Sequence, residues 1–197
     1  MKIINGLIVS AGFSSRMGKF KPLLNFQGKP FIINIVDKLL TVCDKVSVVT
    51  GFNHEEIEKL IEEKNAKYNK RVYCDHNSNY ELGMFGSIKT GLNSIAESEW
   101  VLYHLVDQPN LPQQFYAEFI SRIDNSFDWI QPTYQNQKGH PILFNKKVIK
   151  EILCADIKSN LRAVSSLERI KIKLWECNYN EILTDIDFPK DYKIISE

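Results

Sequence analysis

The sequence lacks the features that would place the protein in a membrane or outside the cell. No apolar stretch in its 197 residues approaches the roughly 20 residues that a membrane-spanning helix needs. The N-terminal segment has one lysine and a short apolar run, but no signal-peptide cleavage pattern. The four cysteines are far apart and form no CxxC pair, which argues against a zinc site or a disulfide framework. We therefore expect a cytoplasmic protein with reduced thiols and no membrane partner.

An excess of charge of one sign is also missing. Lys and Arg number 25 against 24 Asp and Glu, which gives a formal net charge of +1. This balance produces no overall field that would attract nucleic acid, so we expect no nucleic-acid partner and look for binding in local sites. The length allows one α/β domain with a sizeable core and is short for two full domains.

Strand-like and helix-like segments alternate through the first two thirds of the chain. This alternation predicts a mostly parallel sheet with helices on both faces. In such sheets ligands bind beyond the carboxyl ends of the strands, so the turns after the strands are the places to search for chemistry. Strands are expected at 3–9, 45–50, 72–74, 100–106, 129–130, 142–144 and 170–175. Helices are expected after Pro30, after Asn53 as a cap, at 87–95, after Pro112, at 146–153 and from Pro189.

The turn after the first expected strand is rich in glycine and positive charge. Gly12 and Gly18 allow positive φ and close approach to a ligand, and free N–H groups there would bind an anion. Arg16 and Lys21 add fixed cations that suit phosphate oxygens. The spacing is not that of a Walker A loop, because Phe20 stands where Ser or Thr would be needed. The turn does not match the GxGxxG pattern either. The turn therefore fits a triphosphate, with a solvated surface turn as the alternative.

This turn resembles the signature G-x-S-x-R-M-G-x-x-K of the MobA and MocA group of nucleotidyltransferases, which complete the molybdenum cofactor. Four further segments resemble blocks of that family in the same order, and they extend over nearly the whole chain. The match is closest to the cytidylyltransferase branch. The segments are GMFGSIKTGL at 83–92, DQP at 107–109, GHPILF at 139–144 and DIDFPKDY at 185–192.

The resemblance implies a three-layer α/β/α fold of the nucleotide-diphospho-sugar transferase (GT-A-like) type, with a mostly parallel Rossmann-like sheet. It implies one domain over 1–197, with a nucleotide-binding half at about 1–110 and an acceptor-binding half at about 111–197. The implied reaction is Mg²⁺-dependent transfer of CMP from CTP to the terminal phosphate of molybdenum-molybdopterin, with pyrophosphate leaving. The implied partners are these small molecules and, transiently, a molybdenum hydroxylase.

The nucleotide-binding residues that the resemblance implies come from the glycine loop and the block at 83–92. Arg16 and Lys21 are also expected to be catalytic, because fixed cations stabilise a leaving pyrophosphate. For Ser87, a role as a helix cap is the alternative. The full set is Ala11, Gly12, Ser14, Arg16, Gly18, Lys21, Gly83 and Ser87.

Two acidic residues are the expected metal ligands. Asp107 directly follows the strand at 100–106, and carboxylate oxygens together with substrate phosphates suit Mg²⁺. The resemblance places Asp187 opposite Asp107, with Asp185 as the alternative ligand. Asp107 is also expected to be catalytic. The alternative interpretation is that Asp107 is a helix N-cap or a turn residue before Pro109. Asp191 is expected in the first turn of the last helix.

Two further residues are expected to contact the acceptor. The resemblance places His140 at the edge of the active site and Arg162 in a loop that contacts the acceptor. A histidine in a surface turn is the alternative for His140.

Other histidines and aromatic residues give weaker signals. His104 lies within an apolar run and is expected to be a core residue. Tyr73 is likewise expected in the core. No partners can be named for His54 and His76 from the sequence.

Three alternative functions remain open at this point. The first is guanylyl transfer to the same acceptor, because Ser10 and Ala11 stand where the base would be read by the backbone. The second is nucleotidyl transfer to another sugar or alcohol phosphate. The third is a non-catalytic nucleotide- and cofactor-binding chaperone for molybdenum hydroxylases.

Overall fold

The structure is a computed structural model that describes residues 2–196, and one large sheet organises it. The strands within that range are β1 Ile4–Ser10, β2 Asn25–Phe26, β3 Lys29–Pro30, β4 Lys45–Thr50, β5 Val72–His76, β6 Trp100–Leu105, β7 Trp129–Tyr134, β8 Gln137–Lys138, β9 Ile142–Asn145 and β10 Ile172–Glu176. The α-helices are α1 Phe31–Leu39, α2 His54–Lys64, α3 Met84–Ser94, α4 Gln113–Ile120, α5 Lys146–Cys154, α6 Leu161–Ser165 and α7 Pro189–Ser196.

The large sheet has the order β10-β7-β9-β6-β1-β4-β5, and β8 pairs with β7 at its margin. Strands β5, β4, β1 and β6 are parallel, β10 is parallel to β7, and β9 runs antiparallel between β6 and β7. The mostly parallel sheet predicted from the sequence is confirmed. Because β1, β4 and β6 are parallel neighbours, the turns that follow them lie at one edge of the sheet.

Helices cover both faces of this sheet. Strand β6 shows why: Trp100 and Leu102 belong to one core cluster, whereas Val101 and Tyr103 belong to the other. Successive side chains of a strand point to opposite faces, so a strand buried on both faces is apolar at nearly every position. Helices α1, α2 and α4 pack on the first face, and α3, α5 and α6 pack on the second. The three-layer α/β/α architecture is thereby confirmed.

A third, smaller cluster lies beneath the glycine loop. Met17 from that loop packs with Phe26, with Phe31 at the start of α1 and with Ile186 near the C-terminus. Tyr192 of α7 packs against the same group. This cluster holds the C-terminal segment against the glycine loop, although nearly the whole chain separates them in sequence.

Several local expectations need correction. Helix α3 begins at Met84 with Gly83 as its N-cap, so Ser87 lies inside the first turn and is not a cap. Asn53 does precede α2, but it has a left-handed backbone (φ 51°) and its side chain makes no capping hydrogen bond. Tyr73 is 44% exposed because it lies on edge strand β5, so its assignment to the core is wrong.

Two other expectations are confirmed. His104 is fully buried and satisfied, because one ring nitrogen contacts the Tyr116 hydroxyl at 2.8 Å and the other contacts the Leu105 carbonyl oxygen at 2.7 Å. Burial lowers the pKa of His104 to about 3, so the ring is neutral at ordinary pH. All four cysteines are free. Among residues 2–196, no helix is long and apolar enough to cross a membrane.

Candidate active site

The glycine loop, the start of α3 and the turn after β6 enclose a cavity at the carboxyl edge of the sheet. Its volume is about 450 Å³. Seven of the eight residues expected to bind the nucleotide line it, together with both expected metal ligands. The seven residues are Ala11, Gly12, Ser14, Arg16, Lys21, Gly83 and Ser87.

Gly18 is the expected residue that does not line this cavity. Its φ of 67° is in the left-handed region, which costs glycine little, and it lets the chain turn back toward Lys21. The turn is closed from within, because Met17 N–H donates to the Ser14 carbonyl at 3.0 Å and Lys21 N–H donates to the Ser14 hydroxyl at 3.1 Å. Gly18 therefore shapes the loop from outside the cavity.

Lys21 bridges the two expected metal ligands. Its Nζ lies 2.7 Å from Asp187 Oδ1 and 3.3 Å from Asp107 Oδ2. Arg16 lies on the outer side, with its guanidinium 2.6 Å from Asp187 Oδ2 and over the Phe188 ring at 5.8 Å. The Lys21 side chain is 11% exposed, against 66% for Arg16. The two cations thus differ: Lys21 is an almost enclosed link between carboxylates, and Arg16 is an exposed side chain at the rim that pairs with Asp187 alone.

Backbone and side-chain hydrogen bonds fix Asp187 opposite Asp107. Ile186 N–H donates to the Asp107 carbonyl at 2.9 Å. Gln108 is buried and donates to Asp185 Oδ1 at 2.8 Å and to the Ile182 carbonyl at 3.1 Å. Gln108, the residue after Asp107, therefore holds the C-terminal segment close to the turn that follows β6. Asp185, the alternative metal ligand, is used in this anchoring contact.

Asp191 caps the last helix, as expected. Its Oδ2 accepts from Phe188 N–H at 2.8 Å and from Asp187 N–H at 3.2 Å. An acidic side chain at a helix N-terminus satisfies free N–H groups and interacts favourably with the helix dipole.

Burial dominates the electrostatics of Asp107. Desolvation raises the pKa of its carboxyl above the ordinary value, and Asp185 and Asp187 raise it further. The neighbouring Lys21 ammonium works in the opposite direction and favours the carboxylate. The anionic form of Asp107 therefore depends on a nearby cation.

The carboxylates fit a divalent metal ion. Asp107 Oδ1 is buried and has no hydrogen-bond partner, whereas buried polar atoms are normally paired. It lies beside Asp187 in a set of hard oxygen donors that face the cavity. A hard cation would satisfy the unpaired oxygen and would offset the cost of burying two like charges.

The first turn of α3 supplies the opposite wall. Gly83 has φ 113°, a conformation that disfavours other residues, and it lines the cavity at the N-terminus of α3, where a helix has free N–H groups. Ser87 is buried, and its hydroxyl accepts from the Asn77 side-chain amide at 3.0 Å. Asn77 thereby fixes the direction of the hydroxyl.

A second cavity of about 710 Å³ adjoins the first and shares Met84 and Leu105 with it. Both residues expected to contact the acceptor, His140 and Arg162, line it. Arg162 lies in α6, whose N-cap Asn160 accepts from Ala163 N–H at 2.9 Å.

His140 is neutral and has an unpaired ring nitrogen. Burial lowers its pKa to about 4, although Asp107 works in the opposite direction. Its Nδ1 is buried with no hydrogen-bond partner, while its ring packs edge-on against Tyr103 with centroids 5.9 Å apart. His140 is therefore a neutral lining residue of the larger cavity that carries one unpaired ring nitrogen.

Sequence reasoning missed several lining residues. Tyr80 and Glu81 line the smaller cavity beside Ser10, which was expected near the base and whose hydroxyl is buried without a partner. Gln131 and Lys138 line the larger one. Lys138 directly precedes the GHP block, which was a usable signal, whereas no local pattern marked Gln131.

The MobA-like NTP transferase domain matches residues 6–172, which is most of the chain and includes the glycine loop, the α3 turn and Asp107. The chain belongs to this family. It is therefore a nucleotidyltransferase with small-molecule substrates, and enzymes of the MobA-like family depend on a divalent metal ion.

The curated relatives of this chain include both a cytidylyltransferase and probable guanylyltransferases. Molybdenum cofactor cytidylyltransferase of Escherichia coli is 27% identical over 195 residues, which cover 98% of this chain and 95% of the relative. A probable molybdenum cofactor guanylyltransferase of Bacillus cytotoxicus is 25% identical over 186 residues, which cover 94% and 86%.

Solved structures share the MobA-like fold. A nucleotidyl transferase from Methanothermobacter superposes with a TM-score of 0.81 at 19% identity, covering 100% of this chain and 97% of that one. A Mycobacterium tuberculosis protein in complex with manganese gives a TM-score of 0.74 at 16% identity, covering 99% and 98%.

Proposed function

We propose that this enzyme transfers CMP from CTP to the terminal phosphate of a molybdopterin-type acceptor, releasing pyrophosphate. The observation that carries the proposal is a pair of adjoining cavities, the smaller of which holds the linked side chains of Asp107, Asp187 and Lys21. One cavity is lined by a cationic glycine loop, and the other is larger and has its own cations. Nucleotidyl transfer needs two substrates to meet at one phosphorus atom, and the two cavities adjoin at Met84 and Leu105, two residues before Asp107.

The glycine loop would hold the triphosphate. A Cβ atom at Gly12 would meet open space, so packing within the protein does not require glycine there. Close approach of a ligand to the backbone does supply a reason for it. Ala11 and the unpaired Ser10 hydroxyl lie deeper in the same cavity and would contact the base, while Gly83 and Ser87 would contact the base or ribose.

Asp107 and Asp187 would hold Mg²⁺. The ion would supply neutralisation of the charge that develops on the phosphate oxygens. Lys21 pairs with both carboxylates and lines the same cavity as the glycine loop. From there Lys21 would move toward the triphosphate and, with Arg16, would stabilise the leaving pyrophosphate.

The larger cavity would bind the acceptor. Arg162 and Lys138 offer positive charge to its phosphate, and neutral His140 offers a directed hydrogen bond. A phosphate monoester is already ionised at neutral pH and can attack in line without a general base. The residues of the chain therefore act by positioning and by charge stabilisation.

The relatives keep guanylyl transfer as the alternative reaction, because they include enzymes of both kinds. A phosphorylated acceptor of another class remains a further alternative. A non-catalytic chaperone is disfavoured because Asp107, Asp187 and Lys21 are all present and in contact. A transient contact with a molybdenum hydroxylase and a cytoplasmic location stay predictions.

The test is pyrophosphate release from purified protein with Mg²⁺, molybdenum-molybdopterin and each of CTP, GTP, ATP and UTP in turn. Release with CTP alone is expected. Release with GTP alone would support the same mechanism, with guanine instead of cytosine as the recognised base. Absence of release with every nucleotide, from folded protein, would contradict the proposed reaction.

Replacing Arg162 with alanine is expected to raise KM for the acceptor at least about tenfold, with little change in KM for the nucleotide. The reason is that a charge-assisted hydrogen bond to phosphate contributes about 1.5–3 kcal/mol. Initial rates at varied acceptor and fixed CTP measure this split. Lys158→Ala removes an exposed cation that lines neither cavity and is the matched control. An equal rise in both KM values would contradict a role specific to the acceptor.

A further inference from the structure

Two histidines and a glutamate outside the proposed active site meet at the edge of the sheet. His54 and Glu58 are four residues apart in α2 and therefore share one face of that helix. His76 is the last residue of the neighbouring strand β5. None of the three lines either substrate cavity.

Their ligand atoms are close enough to share one ion. One nitrogen of each imidazole and one oxygen of Glu58 all lie within 4.8 Å of one another. The two imidazole centroids are 4.0 Å apart, and His54 Nδ1 lies 3.2 Å from Glu58 Oε1. This approach does not meet the geometry of a hydrogen bond, so the buried Nδ1 has no hydrogen-bond partner. A buried, unpaired nitrogen within reach of a carboxylate and a second imidazole is consistent with a ligand of a metal ion.

We propose that His54, Glu58 and His76 bind a divalent transition-metal ion of the Zn²⁺ or Co²⁺ type. Two imidazoles and one carboxylate form a ligand set that suits zinc with a fourth position open. Imidazole favours these ions over Mg²⁺, which prefers oxygen ligands. His76 is exposed, so water can take the open position. The site therefore differs in chemistry from the all-oxygen pair Asp107 and Asp187.

Supporting contacts connect this cluster to the nucleotide loop. Thr50, the last residue of β4, donates to Glu58 Oε1 at 3.1 Å, which orients the carboxylate. In the connection that follows, Phe52 N–H donates to the Ala11 carbonyl at 3.2 Å. A Cβ atom at Gly51 would lie 2.7 Å from the same carbonyl oxygen, so this segment packs directly on the loop. A metal ion that ties α2 to β5 would therefore brace the backbone under Ala11.

The experiment is a Co²⁺ titration of the metal-free, full-length protein, followed by visible absorption and by the melting temperature. Wild type is expected to bind one Co²⁺ with imidazole-type ligand-field bands and to melt at a higher temperature with the ion. His76→Gln and Glu58→Gln are each expected to weaken Co²⁺ binding at least tenfold. Glu55→Gln, an exposed change on the same helix, is the matched control and is expected to bind Co²⁺ like wild type.

The Asp107→Asn variant tests whether Co²⁺ binds to the histidine cluster or to the carboxylates Asp107 and Asp187. This variant is expected to retain the Co²⁺ ligand-field bands of the wild type. Loss of the bands in Asp107→Asn, or unchanged affinity in both His76→Gln and Glu58→Gln, would overturn the proposal. Circular dichroism confirms that each variant is folded, and His54→Gln replaces any variant that is not. The proposal stands or falls independently of the nucleotidyl transfer assay.

Discussion

Replacing Lys21 with alanine is expected to lower turnover by about 10²-fold or more, while the protein stays folded. The ammonium is an enclosed bridge between Asp107 and Asp187 and is proposed to move to the leaving pyrophosphate. Loss of one well-placed charge of this kind costs about 2–4 kcal/mol of barrier. The measurement is the rate of pyrophosphate release at saturating CTP, Mg²⁺ and acceptor.

Two further variants make this result interpretable. Lys21→Met retains the aliphatic volume, so a loss of turnover shared by both variants cannot come from a packing defect. Lys19→Ala removes an exposed cation from the same loop that does not line the nucleotide cavity, and it is expected to keep wild-type turnover. Turnover close to wild type in Lys21→Ala and Lys21→Met would remove Lys21 from the mechanism.

Replacing Asp107 with asparagine is expected to lower turnover by about 10²- to 10³-fold and to weaken the dependence on Mg²⁺ concentration. The change keeps the size of the side chain but removes a buried anion whose second oxygen has no partner in the protein. The loss corresponds to about 3–4 kcal/mol of barrier. Initial rates over a range of Mg²⁺ concentrations measure both effects.

The companion variants Asp187→Asn and Asp185→Asn decide which C-terminal carboxylate joins Asp107. Asp187 pairs with both cations of the site, whereas Asp185 accepts from Gln108 in an anchoring contact. We therefore expect Asp187→Asn to follow Asp107→Asn and Asp185→Asn to change the Mg²⁺ dependence much less. The reverse order would assign the metal to Asp185. Asp124→Asn, on the surface and far in sequence from every block, is the control and is expected to behave as wild type.

The parts of the fold that were predictable depend on local patterns. Alternating strand-like and helix-like runs predicted the mostly parallel sheet, because a strand buried on both faces must be apolar at every position. The position of Asp107 at the end of such a run predicted its place at the carboxyl edge. Most strand ends moved by one or two residues, whereas β7 ended four residues later than expected. Helix α3 began three residues earlier than expected, because helix boundaries depend on caps such as Gly83.

Failed expectations arose where tertiary neighbours decide the outcome. Tyr73 was expected in the core because it is a large aromatic residue. However, β5 is the last strand of the sheet, and one side of it faces solvent. Gln131 and Lys138 face the larger cavity because β7 and β8 pair beside β9, a connection that no local pattern reveals.

The sequence by itself determined the α/β class, the cationic glycine loop and the residue types available for phosphate and metal chemistry, since these depend on composition and on short spacings. Only the tertiary structure decided that Lys21 bridges Asp107 and Asp187, because residues 86 and 166 positions away meet through sheet pairing and through the packing of α7. The same holds for His54, Glu58 and His76, which seemed unrelated until a helix and an edge strand brought them together. Long-range contacts are set by how the elements pack, and that information is distributed over the whole core.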